Sequence, residues 1–211
     1  MRTDLLFWDV DTQHDFMRAD GALYVPDSEA ILGELRTLTD FAHQQGIRIL
    51  ASADDHLATD AEISEAPDWV ATFPPHCMRG TPGQRKVPET TLRHPMVITA
   101  EPQDPSRLAA AVRTHDGDLL VTKHTVDSFT NPNLLPVVRA LEPAAVVLYG
   151  VATDICNHYA VEGILRHFPG IRLSVVTDAM RAISVTNGET LLVNWASRGV
   201  RLITTAGATA G

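Results

Sequence analysis

Short runs of apolar residues, each bounded by turn-forming residues, recur along this chain and alternate with amphipathic stretches. The apolar runs predict six strands, at residues 5–10, 48–53, 118–123, 145–151, 173–177 and 200–204. The amphipathic stretches predict helices at about 28–45, 105–115, 133–141, 154–168 and 186–198. The runs are nearly continuous in Val, Ile and Leu, which is typical of strands covered on both faces. We therefore predict one α/β domain over residues 1–211, in three layers: an open, mostly parallel, six-stranded sheet with helices on both faces.

Composition and charge narrow the class of partner. The chain carries 17 basic and 26 acidic residues, a formal net charge of −9, which argues against a nucleic acid or an anionic membrane as the main partner. Its two cysteines do not make a disulfide framework, and the apolar run at residues 5–8 is too short for the core of a signal peptide. No stretch approaches the length of a membrane span. We expect a soluble, cytoplasmic protein that acts on a small molecule.

Chemically active side chains follow four of the predicted strands. Asp11 follows the first strand, Asp54 and His56 follow the second, Lys123 ends the third and Cys156 comes shortly after the fourth. Ligands of open parallel sheets bind beyond the carboxyl ends of the strands, so these side chains are expected on one rim. A long irregular region follows the second strand and holds six prolines between residues 55 and 95. It is a second candidate functional region, because long loops in compact domains are usually functional.

Cys156 lies at the end of the run Gly150-Val151-Ala152-Thr153-Asp154-Ile155-Cys156, where a buried strand ends and a helix begins. We expect this cysteine in the first turn of the helix, with Asp154 or Thr153 as the cap. Free backbone amides and the helix dipole lower the pKa of a thiol at such a place and favour the nucleophilic thiolate. The alternative is a cysteine that packs under the helix as a small apolar residue.

A nucleophilic cysteine needs a base and a positive group beside it. Asp11 can accept the proton of the thiol, and Lys123 can stabilise the negative charge. The backbone amides of Ala152 and Cys156 can form an oxyanion hole. Together these groups suit the hydrolysis of an amide through a thioester.

Two motifs carry a resemblance to a known family. The run Asp11-Thr12-Gln13-His14-Asp15-Phe16 resembles the D-x-Q-x-D-F opening of the isochorismatase-like cysteine hydrolases, a superfamily that includes nicotinamidases. The run 150–156 is similar to the nucleophile turn of that family, and Lys123 follows a strand between the two motifs, as the family's catalytic lysine does. The resemblance spans about residues 5–199 and implies the isochorismatase-like fold, a catalytic set of Asp11, Lys123 and Cys156, a cis peptide bond between Val151 and Ala152, and a homo-oligomer.

A second set of residues has the composition of a metal site. Asp54 and His56 are two residues apart, and His76 follows in the stiff segment Phe73-Pro74-Pro75-His76-Cys77. Two histidines and an aspartate suit zinc, manganese or ferrous iron, although loop residues of this kind are more often exposed to solvent. The resemblance favours the metal, with zinc first, because nicotinamidases carry a D-x-H and a later H-C segment that bind one. Glu62 stands where many of them have a further histidine ligand, and we include it in the predicted set.

The resemblance also implies a substrate pocket. Phe16 and Phe73 match aromatic residues that stack on the substrate ring in that family, and Trp69 lies near them in the sequence. The alternative is that all three are core residues. Two departures concern the pocket: the segment 123–129 lacks the family's aromatic-Ser-Ala-Phe pattern, and Asn157 replaces a valine.

Three functions follow from this reading. The first is a metal-assisted cysteine amidohydrolase of a small carboxamide, with nicotinamide as the first candidate. The second is a related hydrolase of a carbamoyl, ureido or other small amide, with a reduced metal site or none. The third is a catalytically idle family member that binds a metabolite or a partner protein. A dinucleotide-binding module is set aside, because no G-x-G-x-x-G follows the first strand.

Overall fold

The computed structural model describes residues 4–210. These residues form one seven-stranded sheet in which every pairing of neighbouring strands is parallel, in the order β3-β4-β2-β1-β5-β6-β7. The strands are β1 (Leu5–Val10), β2 (Arg48–Asp54), β3 (Met96–Ile98), β4 (Leu119–Lys123), β5 (Ala145–Val151), β6 (Arg172–Arg181) and β7 (Arg201–Ile203). The predicted parallel α/β sheet is confirmed.

The prediction of six strands is one short. The additional strand, β3, has only three residues and lies at the edge of the sheet, where it pairs with β4. A three-residue segment that follows Pro95 is too short to show a periodic pattern, so the sequence gives no signal for it.

The described chain has seven α-helices, of which six lie between strands and the last follows β7. They are α1 (His14–Met17), α2 (Leu32–Gln45), α3 (Pro105–Thr114), α4 (Leu134–Leu141), α5 (Cys156–His167), α6 (Val185–Ser197) and α7 (Thr205–Thr209). Short 3-10 helices occur at Ser28–Ile31, Pro88–Thr90 and Ser128–Thr130. No helix of residues 4–210 is long and apolar enough to cross a membrane.

Two apolar clusters cover the two faces of the sheet. Trp8 and Leu50 belong to one cluster with residues of α3, α4 and α5, whereas their neighbours Phe7 and Ile49 belong to the other with residues of α2. Successive side chains of a strand point to opposite faces, so an unbroken apolar run fills both clusters. This arrangement explains why the strands read as continuous hydrophobic runs.

The register of the central strands brings their carboxyl ends together. Asp54, the last residue of β2, is paired with Lys123, the last residue of β4. Val10, the last residue of β1, is paired with Ser52 on one side and Gly150 on the other. The segments that follow these strands therefore start side by side at one rim of the sheet.

Candidate active site

A buried lysine stands at the centre of the rim. Lys123 Nζ lies 2.9 Å from Asp11 Oδ2 and 3.7 Å from Cys156 Sγ, and it also donates to Asp54 Oδ1. Lys123 and Asp11 are fully buried, and Asp54 and Cys156 are nearly so. The structure thus brings the three predicted catalytic side chains into one cluster and joins them to the first residue of the predicted metal set.

The charges of this cluster support one another. Burial alone lowers the pKa of Lys123, but the carboxylates of Asp11 and Asp54 outweigh it and hold the pKa well above its ordinary value. Burial also disfavours the charged form of Asp54, and by itself it raises the pKa of this carboxyl group. The positive charge of Lys123 reverses the effect, so the pKa of Asp54 lies well below its ordinary range. A buried ammonium group is stable only where charged partners compensate for the lost water, and Lys123 has two carboxylates in this role.

The Cys156 thiol differs from the expectation. Burial raises its pKa well above the ordinary value, and the nearby carboxylates of Asp11 and Asp54 raise it further, against the opposing effect of Lys123. The prediction of a lowered pKa is therefore wrong for this structure, because desolvation and two negative charges outweigh the cation. The raised pKa favours the neutral thiol form of Cys156.

The turn that carries the nucleophile has the predicted position but not the predicted caps. The Val151–Ala152 peptide bond is cis, as the resemblance implies, and α5 begins at Cys156. The N-cap is Ile155, without a side-chain cap. Asp154 instead accepts hydrogen bonds of 2.8 Å from the amides of Ile183 and Ser184, so its carboxylate fixes the start of α6 beside the site.

Gly150 allows this turn to approach β1. Its φ is +118°, and a Cβ atom at this position would lie 2.1 Å from the carbonyl oxygen of Val10. Only glycine fits such a contact. The close approach places the start of α5 against the end of β1, where Asp11 begins the next segment.

The predicted metal ligands also come together. Asp54 Oδ2 lies 3.7 Å from Nε2 of His56 and 3.7 Å from Nε2 of His76. The three side chains are buried, their ligand atoms lie within 4.8 Å of one another, and His56 Nε2 has no hydrogen-bond partner. A buried ring nitrogen without a partner, facing a carboxylate and a second imidazole, fits a divalent metal ion.

Glu62 lies at the border of this cluster. One carboxylate oxygen is 3.9 Å from His56 Nε2, and the other accepts a 2.9 Å hydrogen bond from the Val126 amide. Burial, followed by the charge of Asp54, raises the pKa of Glu62. Two of the three departures from the family pattern, Glu62 and the segment after Lys123, are thus in direct contact.

A mainly apolar cavity opens beside Cys156. Phe16 and Phe73 line it, as predicted, and their rings lie 5.4 and 6.2 Å from that of His76. Trp69 is not among the lining residues: it is 63% exposed. It lies on a turn where Asp68 accepts hydrogen bonds from the amides of residues 70–72, so the prediction from its nearness in sequence has no support in the geometry. The remaining lining residues are Leu23, Val25, Asp54, Glu62, His76, Val126, Val151, Ala152, Ile155, Cys156 and Ile183.

Two residues of the first motif, Gln13 and Asp15, have supporting roles that the sequence alone does not assign. The Gln13 side chain donates to the carbonyl of Asp54 at 2.8 Å and accepts from the Asp54 amide at 2.7 Å, so it joins the ends of β1 and β2. Asp15 accepts from the Cys77 amide at 2.7 Å and fixes the segment that carries His76. The spacing of Asp11, Gln13 and Asp15, each two residues from the next, was the feature of the sequence that could have identified them.

Comparisons with known proteins agree with this geometry. The pattern of the isochorismatase domain family matches residues 5–207. This chain belongs to the isochorismatase family. It is 27% identical over 198 residues to a nicotinamidase/pyrazinamidase of Mycobacterium tuberculosis, a match that covers 92% of this chain and 95% of that protein.

Solved structures share the fold of this isochorismatase-family chain. The pyrazinamidase of Pyrococcus horikoshii, determined in complex with zinc, has a TM-score of 0.74 at 22% identity and is covered to 99%, against 95% of this chain. The N-carbamoylsarcosine amidase of Thermoplasma acidophilum has a TM-score of 0.68 at 22% identity, with 96% of that chain and 95% of this one covered. A pyrazinamidase and an N-carbamoylsarcosine amidase thus share the fold of this chain.

Proposed function

We propose that this isochorismatase-family hydrolase is a cysteine-dependent amidohydrolase that cleaves a small, uncharged carboxamide through a thioester, with nicotinamide as the first candidate. The observation that carries the proposal is the position of the Cys156 thiol. Its sulfur lies 3.7 Å from Nζ of Lys123, which pairs with Asp11, and Cys156 lines a cavity that is also lined by Asp54 and His76 of the two-histidine, one-aspartate cluster.

The first half of the reaction forms the acyl-enzyme. Asp11 accepts the proton of the Cys156 thiol as the sulfur attacks the carbonyl carbon, and Lys123 stabilises the charge that develops. The backbone amides of Ala152 and Cys156 donate to the oxyanion. The C–N bond then breaks, and the proton held by Asp11 passes to the leaving nitrogen, which departs as ammonia.

The second half releases the acid. Asp11 is again a carboxylate and accepts a proton from water as the water oxygen attacks the thioester carbon. The C–S bond breaks, Cys156 recovers its proton and the carboxylic acid leaves. A thiol at rest suits this cycle, because Asp11 takes the thiol proton in the first half and delivers a proton from water to the sulfur in the second half.

The cluster next to the cavity fits a divalent metal ion. Asp54, His56 and His76 would hold the ion, with Glu62 as a further ligand, and zinc is our first choice, with manganese and ferrous iron as alternatives. When bound, such an ion acts as a Lewis acid that takes a ring nitrogen or carbonyl oxygen of the substrate and orients it. The zinc in the pyrazinamidase of Pyrococcus horikoshii supports this choice.

The electrostatics of the site favour an uncharged substrate. The two carboxylates beside Lys123 already balance its charge, and within residues 4–210 no arginine or lysine lines the cavity. A carboxylate on the substrate would therefore find no cationic side chain to receive it, and the proposed metal ion would be its sole positive partner among the groups that line the cavity. Phe16 and Phe73 offer flat apolar surfaces to an aromatic ring, which favours nicotinamide. A carbamoyl or ureido amide is the second candidate, supported by the shared fold of the N-carbamoylsarcosine amidase.

The test is ammonia release from purified protein with nicotinamide and a panel of primary amides and ureides, with and without zinc or manganese. We expect release from nicotinamide that disappears in Cys156→Ala, which folds normally because a small residue replaces a small one. Release from another amide alone would keep the mechanism and replace the substrate. No release across the panel, with a correctly folded wild type, would contradict the enzymatic proposal and favour a binding function.

We also propose a cytoplasmic homo-oligomer. Light scattering on the purified protein tests the assembly, and a monomer at micromolar concentration would contradict that part of the proposal.

A further inference from the structure

The two histidines of the candidate metal cluster are held in different ways. His76 Nδ1 lies 2.8 Å from the carbonyl oxygen of Pro74. A carbonyl only accepts, so this nitrogen carries the hydrogen and Nε2 is left to face Asp54. His56 Nδ1 instead faces a side chain, with Asp60 Oδ2 at 3.3 Å. The orientation of one ring is thus fixed by the backbone, and that of the other by a carboxylate.

Asp60 is itself held from two sides. The same oxygen, Oδ2, accepts a 2.9 Å hydrogen bond from the Leu57 amide and lies 3.0 Å from His124 Nδ1. Asp60 is therefore an anchored carboxylate that joins the loop after β2 to the end of β4.

We propose that Asp60 is a positioning residue that keeps His56 in the tautomer with hydrogen on Nδ1. In this tautomer, His56 Nε2 faces the candidate metal position between Asp54 and His76. His124 in turn keeps Asp60 in place. The inference rests on the metal site of the proposed function. A carboxylate behind a ligating histidine fixes the ring and makes it a better ligand. Asp60 does not touch the ion or the substrate, so its effect acts through His56 alone.

The chain offers a matched control on the same loop. Asp68 also accepts backbone amide hydrogen bonds, from Val70, Ala71 and Thr72, but it forms no hydrogen bond with a histidine. Loss of either carboxylate therefore loosens the loop, and only loss of Asp60 frees the ring of His56. A general loosening would affect both variants alike.

The first measurement is zinc affinity by competition with a chelator, for wild type, Asp60→Ala, Asp60→Asn and Asp68→Ala. We expect Asp60→Ala to bind zinc about 10–100-fold more weakly, as is usual when a carboxylate behind a ligating histidine is lost. Asp60→Asn, whose amide oxygen can still accept from the ring, should lose less, and Asp68→Ala should bind like wild type. Equal losses in Asp60→Ala and Asp68→Ala would overturn the inference.

A second measurement needs no metal. Long-range 1H–15N spectra of the histidine rings report the tautomer in metal-free protein, and we expect hydrogen on Nδ1 of both His56 and His76 in the wild type. Asp60→Ala should release His56 from this tautomer and leave His76, which is held by a carbonyl, unchanged. An unchanged His56 tautomer would overturn the inference.

The two proposals fail in different ways. A wild type that binds zinc stoichiometrically, with unchanged affinity in Asp60→Ala, would overturn the role of Asp60 and leave the metal site standing. A wild type that releases ammonia without binding zinc or manganese would remove the metal site, and the inference would be overturned with it.

Discussion

Two pairs of lysine and aspartate lie at the end of β1, and their aspartates are only two residues apart. Asp11 pairs with Lys123 at 2.9 Å, and Asp9 pairs with Lys86 at 2.8 Å. The two aspartates are fully or almost fully buried. The two pairs have similar distances and similarly buried aspartates, although Lys86 is partly exposed and Lys123 is fully buried.

Their third partners differ. Lys123 lies next to a thiol and shares a second carboxylate, Asp54, whereas Lys86 and Asp9 share the hydroxyl group of Thr12. Cys156 and Asp54 line the cavity, and neither member of the second pair does. A buried ion pair alone thus says little about function: what marks the first pair as a candidate site is the nucleophile beside it and the space in front of it.

The largest expected effect separates the two aspartates by rate. Asp11→Asn removes the proposed base for the thiol proton, and we expect kcat to fall about 10³–10⁴-fold. Asp9→Asn should leave kcat of the folded protein near the wild-type value, because Asp9 touches no reacting group.

Stability should change in the opposite order. When Asp11 is replaced, Lys123 still has Asp54 as a charged partner. When Asp9 is replaced, Lys86 keeps the Thr12 hydroxyl as its hydrogen-bond partner. Asp9→Asn should therefore lower the free energy of unfolding by about 3 kcal/mol, more than Asp11→Asn does. Urea unfolding together with single-turnover rates checks both parts. A near-normal rate in Asp11→Asn would remove it from the mechanism.

The two lysines give the next largest contrast. Lys123→Met takes away the cation beside the thiol, and we expect a loss of about 10²–10³-fold in kcat, the usual size for one electrostatic contact to the transition state. Lys86→Met should retain its rate once the amount of folded protein is corrected for.

Both lysine variants should unfold more easily, because each leaves a buried carboxylate without its cation, at about 3–5 kcal/mol. Lys123→Met leaves two, Asp11 and Asp54, so its loss of stability should be the larger. A slow but fully stable Lys86→Met would contradict the view that this pair supports only the fold.

Much of this comparison can be predicted from the sequence. The apolar runs identify the strands, and the ends of those strands identify Asp11, Asp54, Lys123 and Cys156, because a parallel sheet brings its carboxyl ends to one rim. The second pair could not be predicted, because Lys86 reaches Asp9 from the irregular loop before Pro88, and no periodic pattern fixes the path of that loop.

The other misses have a shared physical cause. The pKa of Cys156 depends on the depth of burial and on two carboxylates that come from other strands, and the sequence gives neither distance. The same is true of the bond between Glu62 and the Val126 amide. Trp69 was placed by its nearness in sequence to Phe73, but the turn held by Asp68 directs it to solvent. A sequence motif predicts which reactive side chains are present, but it does not predict how loops pack against one another.

The smallest expected effect compares one hydroxyl group beside each pair. Ser52 Oγ donates to Asp11 Oδ1 at 2.7 Å, and Thr12 Oγ1 donates to Asp9 Oδ1 at 2.9 Å. A hydrogen bond to a charged group contributes about 1.5–3 kcal/mol, so Ser52→Ala and Thr12→Val should each lose stability of this order. Only Ser52→Ala changes the carboxylate that handles the proton of Cys156, and its kcat should fall about tenfold, which corresponds to 1.4 kcal/mol. Thr12→Val should keep its kcat. Equal falls in kcat would mean that the rate follows the general rigidity of the β1 end, and the distinction between a catalytic and a supporting ion pair would not hold.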